Sequence, residues 1–565
     1  MVNKKKALLP VTLCTIFLLT LFISSSVKRS TTKTKSSHIH HIIHDDHIRI
    51  ANSACSGTLY PDLCVSTIAT FPDMKCKSLP DIISSTINHT LAEVKKTHSE
   101  SRKYENRLIR NRQLLDPRDH RAIDDCVELL DQTVTELKTS FSDVLSKKHI
   151  PDAQAFLSAA MTNQYTCLDG LADSKKQSIR NHFKGTLSNI TRHVSNSLAM
   201  VSKLPGADNP PSSSSNVVYA MREDGFPRWM NVKDRKLLQS TSSGGTNNVK
   251  YDVIVAKDGS GNFTTINEAV DIAPNSSSTR FVIYIKAGAY YEYVEVVKKK
   301  INIMFVGDGI GKTLIKGNRS VVDGWTTFRS STLAVVGTGF IAKGITVENY
   351  AGAIKHQAVA LRSGSDLSAF YNCSFIGYQD TLYVHSLRQF YRDCDIYGTV
   401  DFVFGNAAVV FQKCNLYARR PLDNQKNMFT AQGREDPFQT TGISIIESKI
   451  APASDLIPVQ SSFKSYLGRP WKEYSRTVIM RCNILDVIEP VGWHEWNGDF
   501  ALSTLYYGEY LNRGAGANTT RRVTWPGFKV ITNATEAAQF TAGQFIQGAE
   551  WLDAAGIPYY LNMTA

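Results

Sequence analysis

Apolar residues in the first half of the chain recur at the helical period. From 120 to 147, Ile123, Val127, Leu130, Val134, Leu137, Phe141 and Val144 follow one another at alternating four- and three-residue steps, which places them on one face of a helix. The stretches 152–171 and 175–203 carry the same pattern, and 81–98 reads as a fourth helix. Four amphipathic helices with short polar joints predict an all-α antiparallel four-helix bundle over residues 50–205. The pattern ends in Pro-Gly, Asn-Pro-Pro and four serines over 204–215, so 206–248 reads as a linker. Within it, Arg235-Lys236-Leu237-Leu238 is a dibasic run between soft flanks, which predicts proteolytic processing there.

From 249 to 565 the texture changes to short β-branched and aromatic runs punctuated by Gly, Asn and Asp. Phe370-Tyr-Asn-Cys373-Ser-Phe-Ile-Gly, Tyr391-Arg-Asp-Cys394-Asp-Ile-Tyr-Gly and Phe411-Gln-Lys-Cys414-Asn-Leu-Tyr-Ala align position by position at spacings of 21 and 20 residues. Weaker copies stand at 445–450 and 479–484. A repeat of this length with one apolar strand and polar turns predicts an all-β parallel β-helix. A leucine-rich solenoid is excluded because its Leu-x-x-Leu-x-Leu frame is missing.

The repeat has a chemical consequence. Asp380 lies seven residues after Cys373 and Asp401 seven after Cys394, so the two occupy equivalent places on successive coils. Parallel strands are spaced by about 4.8 Å, which makes these carboxylates neighbours. Gln357 lies about one coil earlier, and Gln379 adjoins Asp380. Two close carboxylates resist joint ionisation, and an acid beside a base suits hydrolysis. The plainer reading is that Asp fills polar turns by bonding backbone amides. Other chemistries lack their residues. There is no Gly-x-Ser-x-Gly for a serine esterase. Gly307-Asp-Gly-Ile-Gly-Lys-Thr313 lacks the framing glycine of a phosphate loop and reads as tight turns.

Charge and cysteines set the compartment. The chain of 565 residues carries a formal +13, but only +3 falls after residue 238 and +6 falls in residues 1–49. Lys4, Lys5 and Lys6 precede an apolar run from Ala7 to Ile23, which predicts a signal peptide or signal anchor with linker over 1–49. No small-x-small cleavage site follows, which favours the anchor slightly. Nine Asn-x-Ser/Thr sequons agree with a lumenal route. The His-rich run 38–47 reads as solvated linker rather than a metal site. In an exported chain, Cys55 with Cys64 and Cys126 with Cys167 are disulfide candidates, leaving Cys76 over. Cys373 and Cys394 either form a bridge between coils or belong to an unbridged core ladder.

At these residues the chain resembles plant pectin methylesterases that carry an N-terminal inhibitor-like domain. The resemblance runs from Ile50 to the C-terminus and rests on Gly288-Ala-Tyr-Tyr-Glu292, Gln357-Ala-Val-Ala-Leu-Arg362, Gly377-Tyr-Gln-Asp-Thr-Leu-Tyr383, Gly398-Thr-Val-Asp-Phe-Val-Phe-Gly405 and Leu467-Gly-Arg-Pro-Trp471. It implies a right-handed parallel β-helix with no cofactor and no metal. By motif, Asp401 is the nucleophile on a galacturonate methyl ester, Asp380 the acid and then base, and Gln357 and Gln379 the oxyanion donors. Arg469 orients Asp401, and Trp471 stacks on a sugar ring. Tyr378 and Phe402 adjoin the aspartates as groove candidates, with packing roles equally open. The implied partners are methyl-esterified homogalacturonan, a subtilisin-like processing protease and proteinaceous inhibitors, with no nucleic acid. The implied location is the cell wall by secretion, with transient anchoring on the way. The helical part is either an autoinhibitor or an aid to folding and export. Asn349-Tyr-Ala-Gly-Ala353 and Leu387 depart from the usual pattern and bear on groove walls. A polygalacturonase lacks support because Asn-Thr-Asp and Gly-His-Gly are absent, a lyase of this fold typically uses calcium, and a non-catalytic pectin-binding regulator sits badly with five intact blocks.

Overall fold

The computed structural model describes residues 46–110, 116–147, 149–172, 174, 177–207 and 251–563. The N-terminal apolar run, residues 38–45 of the His-rich stretch and the dibasic site at 235–238 lie outside them. The helical half contains α1 (Leu79–Arg110), α2 (Pro117–Ser146), α3 (Ile150–Gly170) and α4 (Gln177–Val201), preceded by a short helix, Pro61–Ile68. Helix α2 starts where Asp116 accepts the Arg118 amide and Pro117 fills the first turn, where a missing N–H costs nothing. The apolar positions read from 120–147 are its buried face: Ile123, Leu130, Leu137 and Val144 are each at most 1% exposed. Helix α1 runs well past the predicted end at 98, since its later turns are polar and carry no apolar stripe. Tyr104 holds that extension by stacking on His182 of α4 at 4.3 Å. Cys55–Cys64 and Cys126–Cys167 are bridged, the second tying α2 to α3. Cys76 is free.

The second half is a parallel β-helix of three sheets with 11, 8 and 7 strands. The repeat read from the sequence is the register: Phe370 pairs with Tyr391, Tyr391 with Phe411, Phe411 with Ile445 and Ile445 with Ile479. These rings stack inside the coil, at 4.6 Å from Phe370 to Tyr391 and 4.7 Å from Tyr391 to Phe411. Next to them, Cys373, Cys394, Cys414 and Cys482 form a buried ladder of free thiols. Cys373 and Cys394 are therefore not a disulfide. Equivalent side chains on successive coils are about 4.8 Å apart, beyond the Cβ separation of about 3.8 Å that a disulfide needs. The residue before each rung (Asn372, Asp393, Lys413, Glu447, Arg481) takes a left-handed conformation with φ between 49° and 54°. That conformation makes the sharp corner between the 11- and 8-stranded sheets. Gly307–Thr313 is a tight turn between two strands, Ile303–Gly307 and Thr313–Gly317.

Candidate active site

Asp380 and Asp401 each stand two residues before a strand of the seven-stranded sheet, Leu382–Val384 and Val403–Gly405, and Leu382 pairs with Val403. The two carboxylates are therefore on equivalent rungs of adjacent coils. Both residues are left-handed, with φ of 62° and 51°, a conformation Asp tolerates better than most residues. The Asp380 amide donates to the Val400 carbonyl at 3.0 Å, which joins the two turns. Arg469, on the strand Ser465–Pro470, donates from Nε to Oδ1 of Asp401 at 2.8 Å and from Nη2 to Oδ2 at 2.6 Å. This two-pronged contact is the strongest guanidinium–carboxylate geometry. Asp380 has no such fork. Burial pushes its carboxyl well above the usual range, the Asp401 charge adds to this, and Arg469 offsets only part. The pair is thus a protonated acid beside an ion-paired carboxylate.

Both aspartates line a cavity of about 300 Å³ together with Gln357, Gln379, Arg469 and Trp471. All six residues were picked from the sequence, and the fold brings them to one place. The Ala358 amide donates to the Gln379 carbonyl at 3.2 Å, which ties the two glutamine-bearing segments together. Tyr378 does not line the cavity; its hydroxyl accepts from Nη2 of Arg419 at 2.8 Å. Phe402 is not a groove residue either. It is fully buried and packs on Phe429 at 4.9 Å. Four aromatic walls, Phe328, Tyr383, Phe404 and Trp496, escaped the sequence reading. Tyr383 and Phe404 stand three residues after the respective aspartates and stack at 4.2 Å, so the repeat carried a signal for them. Trp496, which covers the Arg469 guanidinium at 4.3 Å, comes from an irregular segment with no repeat to mark it.

A family model described as Pectinesterase matches residues 252–549, and one described as Plant invertase/pectin methylesterase inhibitor matches residues 49–200. The chain belongs to the pectinesterase family. It is 50% identical to Pectinesterase 3 of Citrus sinensis over 92% of this chain and 89% of that one. It is 46% identical to Pectinesterase/pectinesterase inhibitor 3 of Arabidopsis thaliana over 99% and 97%. Among solved structures it resembles pectin methylesterase from carrot, at 61% identity and a TM-score of 0.56 over 56% of this chain and all of that one. The chain is accordingly a pectin methylesterase, and its helical half is an inhibitor-type domain.

That domain lies over the pectinesterase cavity. Thr166, Asp169 and Gly170 of α3 complete the cavity wall. Thr166 meets Nε2 of His385 at 3.0 Å, and Lys472, next to Trp471, pairs with Asp169 at 3.1 Å. Burial and the Arg362 guanidinium hold His385 down at about 3, so it meets Thr166 as a neutral ring. Further along the contact, Arg388 donates to Asp152 at 2.6 Å, Asn406 to Thr162 at 2.9 Å and Ser195 to Asp436 at 2.6 Å. Arg329 pairs with Asp125 and Glu128 of α2. Tyr383, Phe404, Val359 and Ala431 of the pectinesterase half share one apolar cluster with the inhibitor-type helices. No helix among the described residues is long and apolar enough to cross a membrane.

Proposed function

We propose that Asp401 carries the esterase reaction as a nucleophile and that the inhibitor-type domain keeps the enzyme silent until it is cut away. The observation behind the first part is the asymmetry of the pair, an Asp401 carboxylate held by both prongs of Arg469 beside a buried Asp380 kept protonated. Asp401 attacks the carbonyl carbon of a galacturonate methyl ester, and the oxyanion accepts hydrogen bonds from the Gln357 and Gln379 amides. Collapse expels methoxide, which leaves as methanol with the Asp380 proton. The galacturonyl–Asp401 anhydride remains. Asp380, now anionic, takes a proton from water, and the hydroxide formed attacks the anhydride. Galacturonic acid leaves and gives its proton to solvent, with Asp401 again a carboxylate and Asp380 again protonated. Trp471 supplies a stacking face for a sugar ring.

The second part rests on α3 forming a wall of the cavity, which narrows a polymer's approach to the aspartates. Release by a subtilisin-like protease at Arg235-Lys236-Leu237-Leu238 gives a mature enzyme starting near Gln239, which acts on homogalacturonan in the cell wall after secretion. Separate proteinaceous inhibitors then have the vacated face to bind. Methanol release from methylated pectin by residues 239–565 tests the first part. Asp401→Ala with unchanged melting should abolish it, and retention of more than about 1% would remove the nucleophile assignment. Arg235→Ala with Lys236→Ala should trap the long, silent form; normal release of active enzyme would refute the second part.

A further inference from the structure

The corner between the 11- and 8-stranded sheets carries a second cleft, of about 450 Å³, that the esterase reaction does not use. The aspartate pair stands beside the seven-stranded sheet, and no described residue of the inhibitor-type helices lines this cleft. Its floor is the left-handed corner of successive coils. Lys413, Glu447 and Arg481 follow one another on that corner, one position after the paired residues Gln412, Ile446 and Met480. Beside them the paired positions Asn415, Lys449 and Asn483 run along the 8-stranded sheet, and Arg513 bridges to Asn483.

The lining thus contains four cationic side chains, Lys413, Lys449, Arg481 and Arg513, against the single carboxylate of Glu447. Arg513 is exposed and the other three are half-buried, so their charges face a concave, partly desolvated surface. Successive coils rise by about 4.8 Å, which sets each cation within one Debye length of about 8–10 Å of the next, so neighbouring charges act on a ligand together. At one end, Lys413 lies 4.8 Å from the Tyr560 ring centroid, and Lys413 with Arg392 holds the Tyr560 phenol below its ordinary range. Two neutral amides alternate with the cations: Asn415, whose Nδ2 donates to Asp395 at 2.8 Å and whose oxygen can accept from a hydroxyl, and Asn483. Cations in a row with interleaved amides match a polymer that repeats a carboxylate and hydroxyls on every unit.

We propose that this cleft binds a run of de-esterified galacturonate units, an exosite for the product of the enzyme's own reaction. The inference rests on the pectinesterase reading, since each ester hydrolysed turns a neutral unit into an anion. A methylated stretch offers the cleft no charge, whereas a de-esterified stretch offers one per unit. The cleft would hold the chain on polymer that has already been processed while the groove on another sheet works on ester-bearing stretches, and it would do so before the inhibitor-type domain has left.

The test is equilibrium binding by the full-length chain in an Asp401→Ala background, which prevents the ester content from changing during the measurement. The probes are polygalacturonate and fully methyl-esterified homogalacturonan. Polygalacturonate should bind at least about tenfold tighter, with affinity falling as salt is raised. Lys449→Glu with Arg513→Glu should weaken that binding by about tenfold or more at unchanged melting temperature. Should the reversals lower the melting temperature, Lys449→Gln with Arg513→Gln replaces them. Lys95→Glu with Lys96→Glu, an equal charge change on exposed positions of α1, should alter binding by less than about twofold. Equal affinity for the two polymers, unchanged binding in the cleft variant, or an equal loss in the α1 control would each overturn the proposal. Methanol release by residues 239–565 is read separately, so failure of the exosite leaves the esterase standing and absence of methanol condemns the esterase alone.

Discussion

Replacing Arg469 by Gln tests whether the asymmetry of the aspartate pair is the source of its chemistry. Nε and Nη2 of Arg469 sit 2.8 and 2.6 Å from the two carboxylate oxygens of Asp401, which puts the charge centres about 4 Å apart. At an effective dielectric of about 20, unit charges at that separation attract by about 4 kcal/mol. A Gln amide returns about 1 kcal/mol as a neutral hydrogen bond, so the anion loses about 3 kcal/mol. If nucleophilic attack needs that anion, kcat for methanol release should fall about 10²-fold, since about 1.4 kcal/mol is a factor of ten. Steady-state kinetics on methylated pectin, with the helical domain removed and across pH 5 to 9, separate the possibilities. The loss should appear in kcat, shrink towards high pH where protons compete less for the pair, and be smaller in Arg469→Lys, which keeps charge but not the fork. A raised KM with kcat unchanged would mean that Arg469 only binds substrate, and the argument for Asp401 as an activated carboxylate would fail.

Other outcomes follow from the same geometry. Burial pushes Glu435 up to about 8, with Lys472 offsetting part, and raises Asp436. Both lie at the contact with the helices, so the docked state holds protons that separated domains release. Docking should therefore strengthen as pH falls from about 8 towards the ordinary value of 4.5 and be lost as pH rises through about 8, by up to about tenfold per pH unit for each proton. Titration of the isolated helical domain against residues 239–565 reads this directly, and Glu435→Gln should flatten it; a dependence of opposite sign would dismiss the linkage. Asp380→Asn keeps shape and hydrogen bonding but has no proton to give methoxide, so kcat should fall at least about 10²-fold with little change in KM. Opening the Cys126–Cys167 bridge, which spans 41 residues, with Cys126→Ser should destabilise the helical half by about 4 kcal/mol. Thermal melting measures it, and a shift of only a degree or two would show that packing alone holds α2 to α3.

The sites that were legible in the sequence were those that a local repeat or period exposes. A coil of 20 or 21 residues brings Phe370, Tyr391 and Phe411 into register, so it also carries Asp380 and Asp401 to equivalent rungs. The helical period likewise marks the buried face of α2, since a 3.6-residue turn ties spacing to face. Residues outside the repeat were silent. Trp496 reaches the guanidinium of Arg469 from an irregular segment, and nothing in its neighbourhood announces that contact. Phe402 shows the opposite limit, since adjacency to Asp401 in the chain did not carry its ring to the cavity, and the ring went to the core.

The sequence by itself determined the two-part organisation, the coil length and which carboxylates meet, because those depend on periodicities within a few dozen residues. Tertiary structure alone decided three things. It left the cysteine ladder unbridged, because equivalent rungs stand one strand spacing apart and a disulfide needs less. It set the two-pronged geometry of the Arg469–Asp401 ion pair, because Arg469 arrives from a strand 68 residues beyond Asp401. It laid α3 over the cavity, because Thr166 and His385 are 219 positions apart and meet only when the apolar faces of the two halves close on each other. Contacts at such separations depend on how whole surfaces fit, and no period in the chain encodes them.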